Sequence, residues 1–305
     1  ADERDFQVIV LDNQSSDGSA EAVAKHFPEV ILIQSSTNLG FAGGNNEAAK
    51  RTIGDWVLLL NPDTLVLDNA LQKLLAFAME HPEGSIFGGR TLRADGSLNP
   101  ASCWRRATPW STFCFGTGLT ALLRPIPLFN AEAYGSWQRD TVREVDIVSG
   151  CFFLIRRSVW EQLGGFDPAF FMYGEEADLC LRAGKLGHKC IICPDATIIH
   201  YGGASEKIRA DKMVKMFKAQ AQLFNRHWSR RSRWFGIFCL DLWAFTRMTA
   251  FSLLKQVRPR YAESCNTWRD IWRQRSHWHN AQSNPPSEPA SGPVAIAASA
   301  AGITK

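Results

Sequence analysis

Short apolar runs alternate with helical patterns along most of the chain. The runs fall at residues 6–11, 30–34, 56–60, 145–155 and 190–199. Each is short enough for a buried strand, and several end in polar residues. Between the runs, residues 68–80 place Leu71, Leu74 and Ala78 on one helical face. Strands that alternate with helices predict an α/β domain whose sheet is mostly parallel and flanked by helices.

The pattern changes in two places. Residues 100–138 are rich in aromatic residues, proline and arginine, and we predict a long loop there. Residues 211–227 and 234–257 have the apolar content of helices, whereas the chain after residue 281 is dominated by Pro, Ser and Ala. The predicted organisation is an α/β domain at 1–204, a helical segment at 205–280 and a disordered tail at 281–305.

Composition restricts the class of protein, and the distribution of charge predicts a basic binding surface near the C-terminus. With 45% hydrophobic and 21% charged residues among 305, the chain is globular rather than collagen-like, coiled-coil or wholly disordered. The formal net charge is only +4, but residues 226–280 hold 11 Lys and Arg against 3 Asp and Glu. Six of the 11 tryptophans follow residue 226 as well. A basic, Trp-rich segment favours an anionic lipid surface over nucleic acid as its partner.

The cysteines do not suggest a metal framework. All eight are irregularly spaced, which predicts reduced and mostly buried thiols in a cytoplasmic protein. Cys190 and Cys193 form one CxxC pair without a second pair, so we expect packing there rather than zinc.

Two polar segments follow the first two strands. A carboxylate such as Asp12 at the end of a strand can accept hydrogen bonds from a nucleobase or ribose. The alternative is a polar loop in which Asp17 or Ser19 caps the next helix. In residues 38–46, glycines before a helix allow a phosphate to approach the backbone, although no GxGxxG is present. The alternative there is a glycine turn with an asparagine cap.

Two further strands end in possible metal ligands. Asp63 follows the apolar run 56–60 in the order Asn61-Pro62-Asp63. A carboxylate in this position can hold Mg²⁺ or Mn²⁺ against a diphosphate. The simpler alternative is a strand-to-turn junction broken by Pro62. His200 ends the last apolar run, where it is either a metal ligand or a core histidine.

Three carboxylates open the helix near residue 178. Glu175, Glu176 and Asp178 repel one another, which raises the pKa of at least one of them and suits a general base. The alternative for Asp178 is an ion pair with Arg182, four residues further along the helix. Acids in a first helical turn are also favoured by the helix dipole.

In this order, these stretches resemble an inverting family 2 glycosyltransferase of the GT-A fold. VIVLDNQSSDGS is similar to the family's nucleotide-binding strand and loop, and NLGFAGGNN is typical of its rhamnosyltransferase-like branch. LNPD stands where the family has its DxD metal motif. The segment from GCFFLIRR to GEEADLCLR is similar to the acceptor side of the site. The resemblance covers residues 5–205.

The resemblance implies a role for each position. Asp12 would contact the nucleobase. The other positions implied to bind the nucleotide sugar are Asn13, Ser15, Asp17, Asn38, Gly40, Phe41, Gly44, Asn45, Asn61 and Arg182. Asp63 and His200 would hold Mg²⁺ or Mn²⁺ on the donor diphosphate.

On the acceptor side, the resemblance implies that Glu176 deprotonates the acceptor hydroxyl. Glu175 and Asp178 would be its neighbours. Arg182 would steady this helix or the departing diphosphate.

Three departures from the family pattern affect these expectations. The family begins with a further strand at the centre of its sheet, so we expect this chain to lack that strand and its activity to depend on it. Asn61 replaces the first acid of the metal motif, which leaves Asp63 and His200. Glu176 stands where Asp is commoner, which lengthens the base by one methylene.

The predicted function is metal-assisted transfer of a sugar from a nucleotide-diphospho-sugar, with dTDP-rhamnose favoured. The acceptor would be a polyprenyl-linked or growing glycan at the cytoplasmic face of a bacterial inner membrane, and we expect no nucleic acid partner. One alternative is a catalytically impaired, membrane-bound protein that only binds the sugar nucleotide. Another is a nucleotidyltransferase, but the basic triphosphate-binding loop that it needs is not evident.

The membrane contact would come from residues 226–257. A spanning helix needs about 20 mostly apolar residues, and residues 234–254 have that length. Asp241 and Arg247 inside this run are costly at the bilayer centre, which favours a helix lying in the interface. A single membrane span and an ordinary core helix are the alternatives.

Overall fold

A mixed six-stranded sheet is the centre of the protein, in a computed structural model that describes residues 6–202 and 209–281. Its strands are β3 (Trp56–Leu60), β4 (Thr64–Val66), β5 (Gly84–Leu92), β7 (Arg143–Val145), β9 (Phe152–Arg156) and β10 (Lys189–His200). They are ordered β3-β9-β5-β10-β4, and β7 also pairs with β10. Within this sheet, only β5 and β10 pair in parallel. The predicted α/β class is confirmed, but the sheet is mixed, whereas a mostly parallel sheet was predicted.

Four shorter strands form two small sheets. β1 (Ile9–Asp12) and β2 (Ile31–Gln34) are parallel to each other, and β6 (Cys103–Trp104) is antiparallel to β8 (Ile147–Val148). Within the described residues, no ladder joins β1 and β2 to the central sheet. β1 and β3 each have one hydrogen-bonded neighbour in this part of the chain.

Both faces of the central sheet are buried, which explains why its strands are continuous apolar runs. In β9, Phe153 and Ile155 point to one face, whereas Phe152 and Leu154 point to the other. The helices are α1 (Ser19–His26), α2 (Gly40–Ala49), α3 (Ala70–Glu80), α4 (Pro109–Thr117), α5 (Leu119–Leu122), α6 (Arg157–Leu163), α7 (Glu175–Lys185), α8 (Arg209–His227), α9 (Arg230–Val257), α10 (Ala262–Arg273) and α11 (Ser276–His279). Helices α2, α6 and α7 cover the first face, and α3 covers the second.

The prediction of a loop at residues 100–138 is wrong for Pro109–Thr117, which form α4. Thr108 caps this helix in a reciprocal capping box with Ser111, and Pro109 occupies its first turn. Its partner is α9: a Cβ on Gly116 would lie 2.7 Å from the carbonyl oxygen of Cys239. Phe115 also stacks on Trp243 at 5.2 Å between ring centroids. The helix therefore depends on a tertiary contact with the C-terminal part of the chain.

Helices α8 to α11 share a separate core. Phe217, Phe224, Leu240 and Trp278 are almost completely buried in it. Helices α8 and α9 agree with the predicted helices at 211–227 and 234–257, and begin two and four residues earlier than predicted. The predicted tail lies outside the described residues apart from Ala281, and the 204/205 domain boundary falls in another undescribed stretch.

Candidate active site

The end of β1 is fastened to the start of α2 by one side chain. The Asn13 amide nitrogen donates to the carbonyl oxygen of Gly40 at 3.0 Å, and its amide oxygen accepts from the Leu39 nitrogen at 2.7 Å. A Cβ on Gly44 would lie 3.8 Å from the Asn13 amide nitrogen. Asn13 thus organises the predicted nucleotide loop, while Asp12 ends β1 and accepts from the Ser15 backbone at 3.2 Å.

The start of α2 is also docked onto the segment before α7. Gly40 has a φ of +69°, and the Phe41 nitrogen donates to the Phe171 carbonyl oxygen at 2.8 Å. Asn38 accepts from the Gly40 nitrogen at 2.9 Å, which shapes the same turn. The structure therefore brings the predicted donor loop and acceptor segment together, and Phe171 is a contact that sequence reasoning missed.

Asp63 and His200 meet because β4 pairs with β10. In this antiparallel ladder His200 lies opposite Thr64, the residue after Asp63. The Asp63 Oδ1 and His200 Nε2 atoms are 3.0 Å apart, with side-chain exposures of 29% and 20%. The Asn61 amide nitrogen is 3.3 Å from the same Nε2. These three predicted residues form one partly open polar cluster.

Glu175 and Glu176 open α7 with carboxylates that lack full hydrogen bonding. The Oε2 atom of each is buried and has no hydrogen-bond partner among the described residues. Burial, followed by the charge of Glu176, raises the pKa of Glu175 to about 8. Burial also raises the pKa of Glu176, against the opposing effect of nearby backbone groups that include Gly150. A buried carboxylate of raised pKa has the properties expected of a general base.

The Gly150-Cys151 turn lies between these two groups of residues. A Cβ on Gly150 would lie 3.1 Å from the Phe41 ring and 3.8 Å from the Glu176 Cβ. The next residue, Cys151, accepts through its carbonyl oxygen from the Asn61 nitrogen at 3.1 Å. Burial raises the pKa of the Cys151 thiol, and the charges of Glu176 and Asp63 raise it further. The Gly150-Cys151 turn therefore links Glu176 to Asn61, and through Asn61 to His200.

Asp178 and Arg182 belong to a structural network instead of this cluster. Arg182 donates to Asp178 at 2.7 Å and to the carbonyl oxygens of Leu163 and Gly165 at 2.7 and 2.8 Å. Asp178 is fully buried and contacts His227 on α8 at 2.9 Å. Burial alone would raise its pKa, but the hydrogen bond with His227 and the charge of Arg182 outweigh it and lower the pKa. These contacts agree with the alternative stated for Asp178, an ion pair with Arg182 along the helix.

Two other predicted ligands are used locally. Asp17 accepts from the Ser19 backbone at 3.1 Å at the start of α1, and hydrogen bonds from Ser19 lower its pKa. The Asn45 amide donates to Phe41 inside α2 at 2.9 Å. Neither residue caps a helix: Gly18 is the N-cap of α1 and Leu39 that of α2, both without a side-chain cap bond, so the predicted capping alternatives are wrong in this detail. The sequence analysis did not identify His227 and Asn46 as residues that hold this region together. Asn46 exchanges two hydrogen bonds with the Phe166 backbone.

The Asp63–His200 pair could hold a divalent cation. Oδ1 and Nε2 are 3.0 Å apart and partly open to solvent, so both could ligate one ion in place of their mutual contact. Within the described ranges, no cluster of three or more His, Cys, Asp and Glu side chains could hold a metal. A metal here would therefore take most of its ligands from water and substrate phosphates, as Mg²⁺ usually does.

A buried carboxylate pair linked through one turn to a carboxylate–imidazole pair at a sheet edge is an arrangement suited to group transfer. The model of glycosyl transferase family 2 matches residues 2–164. An N-acetylglucosaminyl-diphospho-decaprenol L-rhamnosyltransferase of Mycobacterium tuberculosis is 32% identical over 66% of this chain and 68% of its own length. The rhamnosyltransferase WbbL of Escherichia coli K12 is 30% identical over 66% of this chain and 75% of its own length.

Among solved structures, a mannosyltransferase from Pyrobaculum calidifontis in complex with GDP-mannose and Mn²⁺ is similar at a TM-score of 0.49 and 15% identity. That match covers 90% of this chain and 76% of the other.

The chain belongs to glycosyltransferase family 2. It is a glycosyltransferase whose relatives place it in the rhamnosyltransferase branch, as its sequence pattern predicted.

Proposed function

We propose that the protein transfers a hexosyl group, with L-rhamnose from dTDP-rhamnose favoured, to a lipid-linked or growing glycan of the bacterial cell surface. The names of its relatives support this class of substrate. The observation that carries the proposal is that the Gly150-Cys151 turn contacts both Glu176, which has an unpartnered carboxylate oxygen, and Asn61, whose amide lies against His200.

Glu176 is the proposed base. Its Oε2 accepts the proton of an acceptor hydroxyl while that oxygen attacks the anomeric carbon of the donor sugar. The bond from this carbon to the diphosphate oxygen breaks on the opposite side, and the nucleoside diphosphate leaves with the electron pair. One displacement inverts the anomeric carbon without a nucleophile from the protein. Burial of Glu176 raises its pKa and so increases its affinity for the proton.

Asp63 and His200 are the proposed holders of a divalent cation, Mg²⁺ or Mn²⁺, as expected. When bound, such an ion neutralises charge on a leaving diphosphate. The solved mannosyltransferase complex contains Mn²⁺. The Asn61 amide lies against the same Nε2, so it would turn away from this atom when His200 ligates the cation.

The donor nucleotide is proposed to lie where β1 ends against α2. Asp12 would contact the base, while Asn38 and Gly40 supply the turn beside it. Asn13 and Asn45 support this surface through bonds to the backbone. Ser15 and Asp17 lie further along the exposed loop.

A membrane surface is the proposed partner of α9. This helix is the one in the described part of the chain that is long and apolar enough to cross a bilayer. Trp234, Phe238 and Phe245 share one face and are 63%, 57% and 45% exposed. The opposite face packs on α4, α8 and α10, which favours a helix lying on the cytoplasmic leaflet over a spanning one. A lipid-linked acceptor would be reached from this position.

A transfer assay tests the proposal. Labelled dTDP-rhamnose and other nucleotide sugars are incubated with bacterial membranes, Mn²⁺ and the protein, and label in the lipid fraction is counted. We expect transfer from one donor that falls at least about a hundredfold in Asp63→Ala, since one metal ligand is lost. Transfer that is unchanged in this variant would contradict the proposed metal site.

A further inference from the structure

Two charged residues, Asp241 and Arg247, interrupt the apolar sequence of α9, and the structure treats them differently. Asp241 accepts a hydrogen bond from the Trp278 indole at 3.0 Å and contacts His279 at 2.8 Å. Arg247 has no carboxylate within 4.0 Å among the described residues. The charge of Asp241 therefore has polar partners on α11, whereas the Arg247 guanidinium faces the Trp243 ring at 5.5 Å and, within the described residues, no carboxylate.

The contacts of Arg247 use only part of its guanidinium. Its Nη1 donates to the Gly116 carbonyl oxygen at 2.8 Å and to the Thr246 hydroxyl at 3.0 Å. Its Nε and Nη2 have no hydrogen-bond acceptor in the described part of the chain. Partial burial lowers the pKa of Arg247, as expected for a cation that has lost part of its water without gaining an anion. Such a group is stabilised by an anionic ligand.

A cavity of about 250 Å³ lies beside Arg247, between α9 and α10. Its lining consists of Arg247, Phe251, Ser264, Thr267 and Trp268. The lining thus contains one cation, two hydroxyl groups and two aromatic rings, without an acid. The Thr267 hydroxyl donates to the Glu263 carbonyl oxygen at 3.0 Å, which leaves Ser264 as the hydroxyl for a ligand. A guanidinium and hydroxyl groups are donors that match phosphate oxygens. The aromatic walls suit an apolar group attached to that phosphate.

The cavity also leads toward an exposed apolar surface. Arg247, Phe251 and Leu254 follow one another at helical spacing along α9, and Leu254 is 42% exposed. Leu253 and Val257 in the last turns of the helix are more exposed still. A tail leaving the cavity along this stripe would remain on apolar side chains.

We infer that this cavity binds the phosphate group of an amphiphile, with Arg247 and the Ser264 hydroxyl on the phosphate and Phe251 and Trp268 on the start of its apolar chain. None of these residues belongs to the candidate active site. The cavity is a binding site for a lipid phosphate that is separate from the catalytic residues, and it does not depend on the proposed transfer reaction.

Titration calorimetry with octyl phosphate below its micelle concentration tests the inference on the full chain. We expect saturable binding that weakens at least about tenfold in Arg247→Gln, because a charge-assisted hydrogen bond is lost. Arg231→Gln removes an equal charge from an exposed position on the same helix and should bind as the parent does. Inorganic phosphate should bind at least about tenfold more weakly than octyl phosphate, since it has no chain to bury.

Ser264→Ala is a second test of the same site, which applies even where Arg247→Gln does not fold. It leaves the guanidinium in place, and we expect it to weaken octyl phosphate by about threefold to tenfold. Equal affinity in the parent, Arg247→Gln and Ser264→Ala would overturn the assignment. So would octanoate that binds as tightly as octyl phosphate, which would make the site a carboxylate site, or equal losses in Arg231→Gln and Arg247→Gln.

Discussion

Replacing Gly40 by alanine tests how the donor loop is held against the acceptor segment. Gly40 has a φ of +69°, and a Cβ there would lie 2.1 Å from the Phe171 carbonyl oxygen and 2.8 Å from a carbon of its ring. The same oxygen accepts the hydrogen bond from the Phe41 nitrogen at 2.8 Å. The added methyl group must therefore push this backbone contact apart, since a carbonyl oxygen cannot rotate away as a side chain would.

The expected loss of stability has three parts. The left-handed backbone of a residue other than glycine costs about 1 kcal/mol. Overpacking against a backbone atom adds about 1 to 3 kcal/mol, and loss of the Phe41 hydrogen bond adds about 1 kcal/mol. Gly18 is a matched control, because its φ is +82° and a Cβ there would meet nothing within 4 Å. Gly18→Ala should therefore lose only the first part, about 1 kcal/mol.

Urea unfolding followed by tryptophan fluorescence measures both variants. We expect the free energy of unfolding to fall about 2 to 4 kcal/mol further in Gly40→Ala than in Gly18→Ala. Gly40→Ala should also bind nucleoside diphosphate more weakly, because the loop is displaced. Equal free energies of unfolding in the two variants would refute the docking of α2 on Phe171.

Three further predictions concern pH, the buried network and the membrane surface. The pKa of Glu175 is about 8 in the folded protein against an ordinary 4.5, so the folded state holds a proton that the unfolded chain releases. Stability should therefore fall as pH rises from 4.5 through about 8, and melting curves of Glu175→Gln should be flatter over that window. Asp178→Ala should lose about 3 kcal/mol of unfolding free energy, because Arg182 loses its carboxylate partner and His227 loses its hydrogen-bond partner in the core. Glu161→Ala, in the more exposed pair with Arg157, should lose under about 1 kcal/mol. Replacing Trp234 and Phe238 together by serine should reduce sedimentation with anionic vesicles severalfold, and equal sedimentation would exclude this face as the contact.

Elements with both local and tertiary support were predictable from the sequence. Strand β3 has the predicted bounds, and α3 begins two residues later than predicted and ends at the predicted residue, because their apolar spacing and their burial coincide. The division of the predicted strand 145–155 was missed. Asp146 separates β7 from β8, and Ser149 and Gly150 precede β9, so the signal was in the sequence but was treated as part of one strand. Helix α4 was missed although Thr108, Pro109 and Ser111 are a local start signal; only its contact with α9 depends on residues distant in sequence.

The same limit applies to the site. Asp63, His200 and Glu176 could be named because strand ends and a helix start are local features. The i, i+4 spacing of Asp178 and Arg182 predicted their ion pair, but it did not show that Asp178 lies apart from Glu175 and Glu176 in a buried network. Only the structure brings His227 to Asp178, and so separates this residue from its carboxylate neighbours.

The central claim is that Glu176 takes the proton of the acceptor while a separate set of residues binds the donor. The most direct test compares the parent with Glu176→Gln, measuring nucleoside diphosphate affinity in Mn²⁺ by calorimetry and sugar transfer to membrane acceptors in parallel. We predict that transfer falls at least about a hundredfold while the affinity changes less than about threefold, since general base catalysis contributes about 10²–10⁴. Transfer by Glu176→Gln at the rate of the parent would contradict the account.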